Sequence, residues 1–112
     1  MVFFGAMDIA VSTMKITESD TSGSGHADVT GLVFGTSTNT AGSTSSLPSA
    51  TDDNKFFAFY IDLRGRKRYL DLSLTLGDGA AGTYVTAWAE LSRSESFPAT
   101  ATNRGISQEL LV

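Results

Sequence analysis

The chain has no cysteine, two prolines, a single histidine, and only eight Lys and Arg residues against twelve Asp and Glu. Without cysteine there is neither a disulfide framework, a thiolate metal site nor a thiol nucleophile, so stability has to come from packing or assembly. A lone His26 follows a Gly/Ser stretch. No spacing of Ser, Asp and His suggests a nucleophile elbow or a metal-binding helix, so the expectation is that the protein is not an enzyme and carries no cofactor. The formal charge of −4 gives a field that repels nucleic acid and anionic lipid, so any basic site has to act locally. Long apolar runs are missing too. The opening "MVFFGAMDIAV" is short, has no basic residue before it and is interrupted by Asp8, which argues against a secretory signal or a membrane span and for a soluble, non-exported chain.

What is present is glycine, serine, threonine and apolar residues that recur with period two. The 112 residues are the size of one domain with one ordinary core. No segment reads as an amphipathic helix, and alternation dominates. In the first segment Met7, Ile9 and Val11 share one parity while Met14, Ile16 and Glu18 share the other, so a bulge or bend is expected near Ser12 and Thr13. "DTSGSG" supplies hairpin chemistry between two strands. "TSTNTAGSTSSLPSATDDN", without charge until its closing Asp52 and Asp53, is a Ser/Thr/Gly connection long for a compact domain, read as a flexible loop or contact arm at about 36–50, with Pro48 closing its mobile part.

The second half is more regular. "KFFAFYIDL" is apolar on both parities, as in a strand covered on both faces. From Arg68 to Leu76 the residues alternate strictly, with Leu70, Leu72, Leu74 and Leu76 facing inward. "TYVTAWAEL" and "ISQELLV" read as two further strands, the latter placing Ile106, Gln108, Leu110 and Val112 on one face. The expectation is an all-β chain: a single-domain antiparallel β-sandwich over 1–112, jelly-roll or immunoglobulin-like, with about seven to eight strands.

Half of the cations lie in five positions: Arg64, Arg66, Lys67 and Arg68, flanked by Asp62 and Asp71. Between two strand patterns this cluster reads as the tip of a hairpin centred on Gly65, whose glycine supplies positive φ. It is either a solvated end partly neutralised by its carboxylates or a docking spike whose arginines meet acidic groups or carbonyls of a neighbouring subunit. Tyr60 and Tyr69 nearby suit base stacking, but one short basic tip on an acidic chain lacks the continuous stripe that binding nucleic acid requires. Asp52, Asp53 and Asn54 and the "DTSGSG" stretch offer oxygen ligands for calcium, yet without the ordered series of the helix-loop-helix motif, and read first as turns. Most of Phe56, Phe57, Phe59, Tyr60, Tyr84 and Trp88 are expected in the core; if Tyr84, Thr86, Trp88 and Tyr69 share an outer face, that face needs a cover, and exposed rings there would suit a sugar-stacking module.

Three stretches, "MKITESDTSGSGHADVTG", "LPSATDDNKFFAFYIDLRGRKRYLDLSLTLGDG" and "TYVTAWAELSRSESFPATATNRG", together resemble a group of small virion proteins of tailed bacteriophages associated with head decoration, or cement. The likeness runs from Met7 onward and is strongest at "DLRGRKRYL". Members of that group tend to carry additional residues before the segment matching "VFFGAMDIAV". The resemblance implies a β-sandwich, made in the host cytoplasm, that binds the major capsid protein on the outer capsid surface as a homo-oligomer, often a homotrimer, and strengthens the shell. A tail or baseplate adaptor of the same virus would share fold and composition. The contact residues expected for such a role are Arg64, Arg66, Lys67 and Arg68 at the tip, the loop around 36–46, and the connection near Phe97 and Arg104.

Overall fold

A computed structural model describes residues 1–77, 82–91 and 106–112. Among them are seven strands and no helix: β1 (Val2–Phe4), β2 (Thr13–Ser19), β3 (Ala27–Val33), β4 (Lys55–Tyr60), β5 (Tyr69–Thr75), β6 (Val85–Ala87) and β7 (Ile106–Leu111). They form two sheets, one ordered β6-β1-β4-β7 and the other β3-β2-β5. The chain is an all-β sandwich.

The core lies where alternation places it, between the sheets. Val2, Phe4 and Phe57 from the four-stranded sheet meet Met14, Ile16, Val29 and Leu32 from the three-stranded one. Phe34, just past β3, packs edge-on against Phe57 and Phe59 with centroids 5.7 and 5.2 Å away, and Phe4 packs edge-on against Phe57 at 5.6 Å. Such edge-to-face pairs add to the burial of the rings themselves. Leu70, Leu72, Leu74 and Leu76 do face this core, but each is only partly buried.

Four details differ from the sequence reading. The parity change before Met14 is a change of sheet. β1 ends at Phe4, and residues 5–12 cross to β2 in the other layer. Their path is held by Met7 N donating to Asp53 Oδ1 at 2.8 Å, by Val11 N donating to the Pro48 carbonyl at 3.0 Å and by Ser12 N donating to the Thr75 carbonyl at 3.0 Å. Gly77 makes the crossing possible, since a Cβ there would stand 2.5 Å from Ile9 Cγ2 and 3.0 Å from the Ala10 carbonyl oxygen.

The Gly65 bend is not a hairpin, because β4 and β5 belong to different sheets. It is an elbow that carries the chain over the edge of the sandwich, and Leu63, read as part of a strand covered on both faces, lies past the end of β4 and is 54% exposed. β6 is shorter than its pattern, although bonds from Tyr84 N to the Ala6 carbonyl and from Trp88 N to the Met1 carbonyl extend its pairing. Finally, β7 runs parallel to β4 while the remaining strand pairs are antiparallel. That is compatible with connectivity, because between β4 and β7 the chain visits β5 in the other sheet and β6 at the far edge, a connection long enough for a parallel pair.

"DTSGSG" does join a hairpin, β2 to β3, with Gly23 and Gly25 at φ 78° and 67°. The connection after β3 folds over β7. Thr40 N donates to the Glu109 carbonyl at 3.3 Å, Thr40 Oγ1 to Glu109 Oε1 at 2.9 Å, and Gln108 Nε2 to Ser46 Oγ at 2.8 Å.

Phe57→Ala is expected to lose about 3–5 kcal/mol of stability, and Leu72→Ala, only partly buried, less than that. Gly77→Ala is expected to lose about 1–3 kcal/mol through overpacking. Urea unfolding of each variant measures these losses; a Gly77→Ala midpoint equal to wild type would show that the 5–12 crossing yields freely.

Candidate interface

The candidate site is the elbow, residues 61–68, between β4 and β5. Its bend is a four-residue turn in which Arg66 N donates to the Leu63 carbonyl at 3.2 Å. Gly65 stands at its third position with φ 77°, where a turn of this kind needs a positive φ. The elbow is tied to both layers. Asp62 N donates to the Val112 carbonyl at 2.8 Å, at the end of β7. On the other side Glu18, last of the inward-facing residues of β2, accepts from Lys67 N at 3.2 Å and has Arg66 Nη1 3.8 Å from its Oε2.

The four cations therefore have different fates. Arg64 is turned back onto Asp62, with Nη2 2.6 Å from Oδ2 and Nε 3.0 Å from Oδ1. These side-chain bonds, together with the Arg64 backbone N–H on Oδ1, hold the Asp62 carboxyl down at about 2 and raise the Arg64 guanidinium. Arg66 is mostly covered and spent on Glu18. Lys67 and Arg68 are exposed. Arg68 lies over the Tyr69 ring, 5.4 Å from its centroid, a cation–π contact that stiffens the side chain without neutralising it. The two outward charges of the elbow are thus adjacent in sequence. Glu18 is the member that sequence reasoning missed: alternation grouped it with Met14 and Ile16, but only the fold brings it beneath the elbow, 49 residues from Lys67.

The second expected contact element, the loop around 36–46, adjoins the same strand end. It meets β7 at Gln108 and Glu109, and the elbow meets it at Val112, about 10 Å further along the strand. Phe97 and Arg104 lie outside the described residues.

The other candidates separate clearly. His26 is half-buried, with Nδ1 3.4 Å from Thr17 Oγ1, and no group of three or more His, Asp or Glu side chains able to hold a metal ion occurs among the described residues. Asp52 and Asp53 do turn work. Burial pushes the Asp52 carboxyl up, but bonds from Lys55 Nζ at 2.7 Å and from Ser49 N at 2.8 Å overcome this and leave it below its ordinary value. Asn54 takes a left-handed φ of 58°, which asparagine tolerates. Among the described residues no helix is long and apolar enough to cross a membrane.

The aromatics divide between two environments. Phe57 is fully buried and Phe59 packs on the core, whereas Trp88 is 44% and Tyr84 68% exposed at the edge strand β6. Trp88 meets Phe56 edge-on at 6.1 Å, and Phe56 meets Phe3 at 4.7 Å, so a row of rings crosses the outer side of the four-stranded sheet. Tyr69 is not part of it, because β5 lies in the other sheet.

The fold and site together define a β-sandwich with a braced cationic elbow. Comparison with protein-family models, with curated proteins and with solved structures finds no match to this chain.

The Asp62 pair gives a direct check. Its folded value lies below the ordinary carboxylate value of about 3.9, so the pair is intact above that pH and is lost as pH falls through about 2. NMR titration of the Asp62 carboxyl is expected to give a midpoint near 2, moving up toward the ordinary value in Arg64→Ala. A wild-type midpoint near 4 would remove the pair from solution.

Proposed function

We propose that the protein is a structural virion component: a head decoration, or cement, protein that binds the major capsid protein on the outer surface of a tailed-phage head, self-associates as a homotrimer and stabilises the shell. The observation that carries this reading is the braced elbow. Bonds to Glu18 on β2 and to Val112 beyond β7 hold it from both sheets, and it presents Lys67 and Arg68 outward on a chain of net negative charge. A rigid body with a locally cationic contact suits adhesion to acidic groups or carbonyls of a neighbouring subunit. The resemblance centred on "DLRGRKRYL" falls on this same elbow. Each contact can be weak, because many copies on one lattice add through simultaneous engagement.

A second reading, a carbohydrate-binding sandwich, is favoured by the exposed rings of Trp88 and Tyr84. Titration calorimetry of the free chain with oligosaccharides distinguishes it, since a cement protein has no need to bind sugar.

The decisive experiment mixes the purified chain with empty capsids of the same virus and sediments the shells. The wild type is expected to co-sediment. Replacing Lys67 and Arg68 by Ala together is expected to weaken binding about tenfold, two exposed charge contacts of up to about 1 kcal/mol each, with an unchanged thermal midpoint. A chain that stays in the supernatant overturns the proposal, and equal binding by the double variant removes the elbow from the contact.

A further inference from the structure

An open sheet edge presents unpaired N–H and C=O groups to any strand that fits, and folded proteins usually guard it. Of the four edge strands here, three are guarded. β7 lies under the 36–46 loop, which bonds to the Glu109 carbonyl and the Gln108 side chain. β6 is only three residues long. β3 is broken by an irregularity: Lys15 pairs with Val33 but Thr17 with Asp28, and between them Gly31 sits at φ 90°.

Among the described residues β5 has none of these protections. Its seven residues pair with β2 in unbroken register from Ser19↔Tyr69 to Thr13↔Thr75, with no proline, glycine or bulge. Among the described residues no backbone hydrogen bond joins its other side. Its inward row, Leu70, Leu72 and Leu74, is left only partly buried.

We propose that β5 is a pairing edge for a second copy of this chain, joined antiparallel about a twofold axis at Leu72. The sequence of the strand is self-complementary in that register. Leu72 faces the partner's Leu72 and Leu70 faces the partner's Leu74, so the partly buried leucines cover one another. On the opposite face Asp71 meets the partner's Ser73, a carboxylate beside a hydroxyl, and Tyr69 meets the partner's Thr75. All seven residues overlap.

Neighbouring registers are worse for stated reasons. An axis between two residues sets leucines against the polar face, because a one-residue slip exchanges the faces of a strand. An axis at Asp71 brings two carboxylates face to face, which opposes pairing, and an axis at Ser73 shortens the overlap. The product is a continuous six-stranded sheet ordered β3-β2-β5-β5-β2-β3, an isologous contact that leaves the elbow's Lys67 and Arg68 beyond the paired segment. The pairing rests on edge geometry alone and holds whatever the elbow binds. A twofold contact of this kind would also link separate assemblies side by side on a surface.

The test is sedimentation equilibrium of the full chain over a dilution series, comparing wild type with Ser73→Asp and with the double variant Asp71→Lys, Ser73→Asp. In Ser73→Asp each end of the pair has carboxylates opposed, while within one copy position 73 lies across from Lys15, so the fold is kept. The expected results are reversible pairwise association for wild type, of single copies or of whole trimers, about tenfold weaker in Ser73→Asp and recovered in the double variant, where a lysine faces an aspartate at both ends.

If Ser73→Asp fails to give a β-sheet circular dichroism spectrum, the absence of native cysteine allows a second measurement. Asp71→Cys and Ser73→Cys copies mixed and oxidised are expected to cross-link with each other more than either does alone. A wild-type chain that sediments as a monomer throughout overturns the proposal, as does an oligomer that Ser73→Asp leaves unchanged or cysteine pairs that form no preferential cross-link.

Discussion

Phe34 holds the two layers together. It follows the last residue of β3, and its ring lies edge-on between Phe57 and Phe59 of β4 in the opposite sheet. Phe4 completes the set from β1. Each sheet alone would present an apolar face to water, and burying those faces against each other is the main favourable term available to a chain without disulfide cross-links. The rest of the structure is shaped by the need to deliver strands to both layers while keeping this centre closed.

That need explains the two crossings. Residues 5–12 pass from β1 to β2 and residues 61–68 from β4 to β5, each changing sheets. A crossing segment leaves its backbone groups without a ladder, and such groups have to be bonded elsewhere. Asp53, Pro48 and Thr75 serve the first crossing; Glu18 and Val112 serve the second. The elbow is therefore rigid for structural reasons before any partner is considered. In the proposed role, that bracing would lower the cost of ordering Lys67 and Arg68 on binding, because the backbone beneath them is already held.

Much of this was legible in the sequence. Alternation identified the strand-rich class, the buried parity of β2 and the inward leucines of β5, and the glycines of "DTSGSG" marked a true hairpin. The same kind of signal at Gly65 marked a bend correctly and its partners wrongly, because a turn residue reports local φ and not whether the strands it joins pair with each other. Trp88 misled for a related reason. Apolar neighbours in sequence suggested the core, yet β6 is an edge strand and Trp88, just past it, is 44% exposed with its ring edge-on to Phe56. For the site, the run of cations was plain, but their division into bonded and outward-facing members depended on Glu18 and on the bidentate closure of Asp62 on Arg64.

By itself the sequence determined which residues extend, which face of each strand is apolar and where the chain bends, since these follow from side-chain alternation and backbone sterics within a few residues. Tertiary structure alone decided which strand lies beside which, that β7 runs parallel to β4 and, among the described residues, which cations lack a carboxylate partner and which sheet edge has no neighbouring strand. Those outcomes depend on contacts between residues far apart in the chain, where backbone hydrogen bonds are chemically alike and only the packing of the whole selects among them.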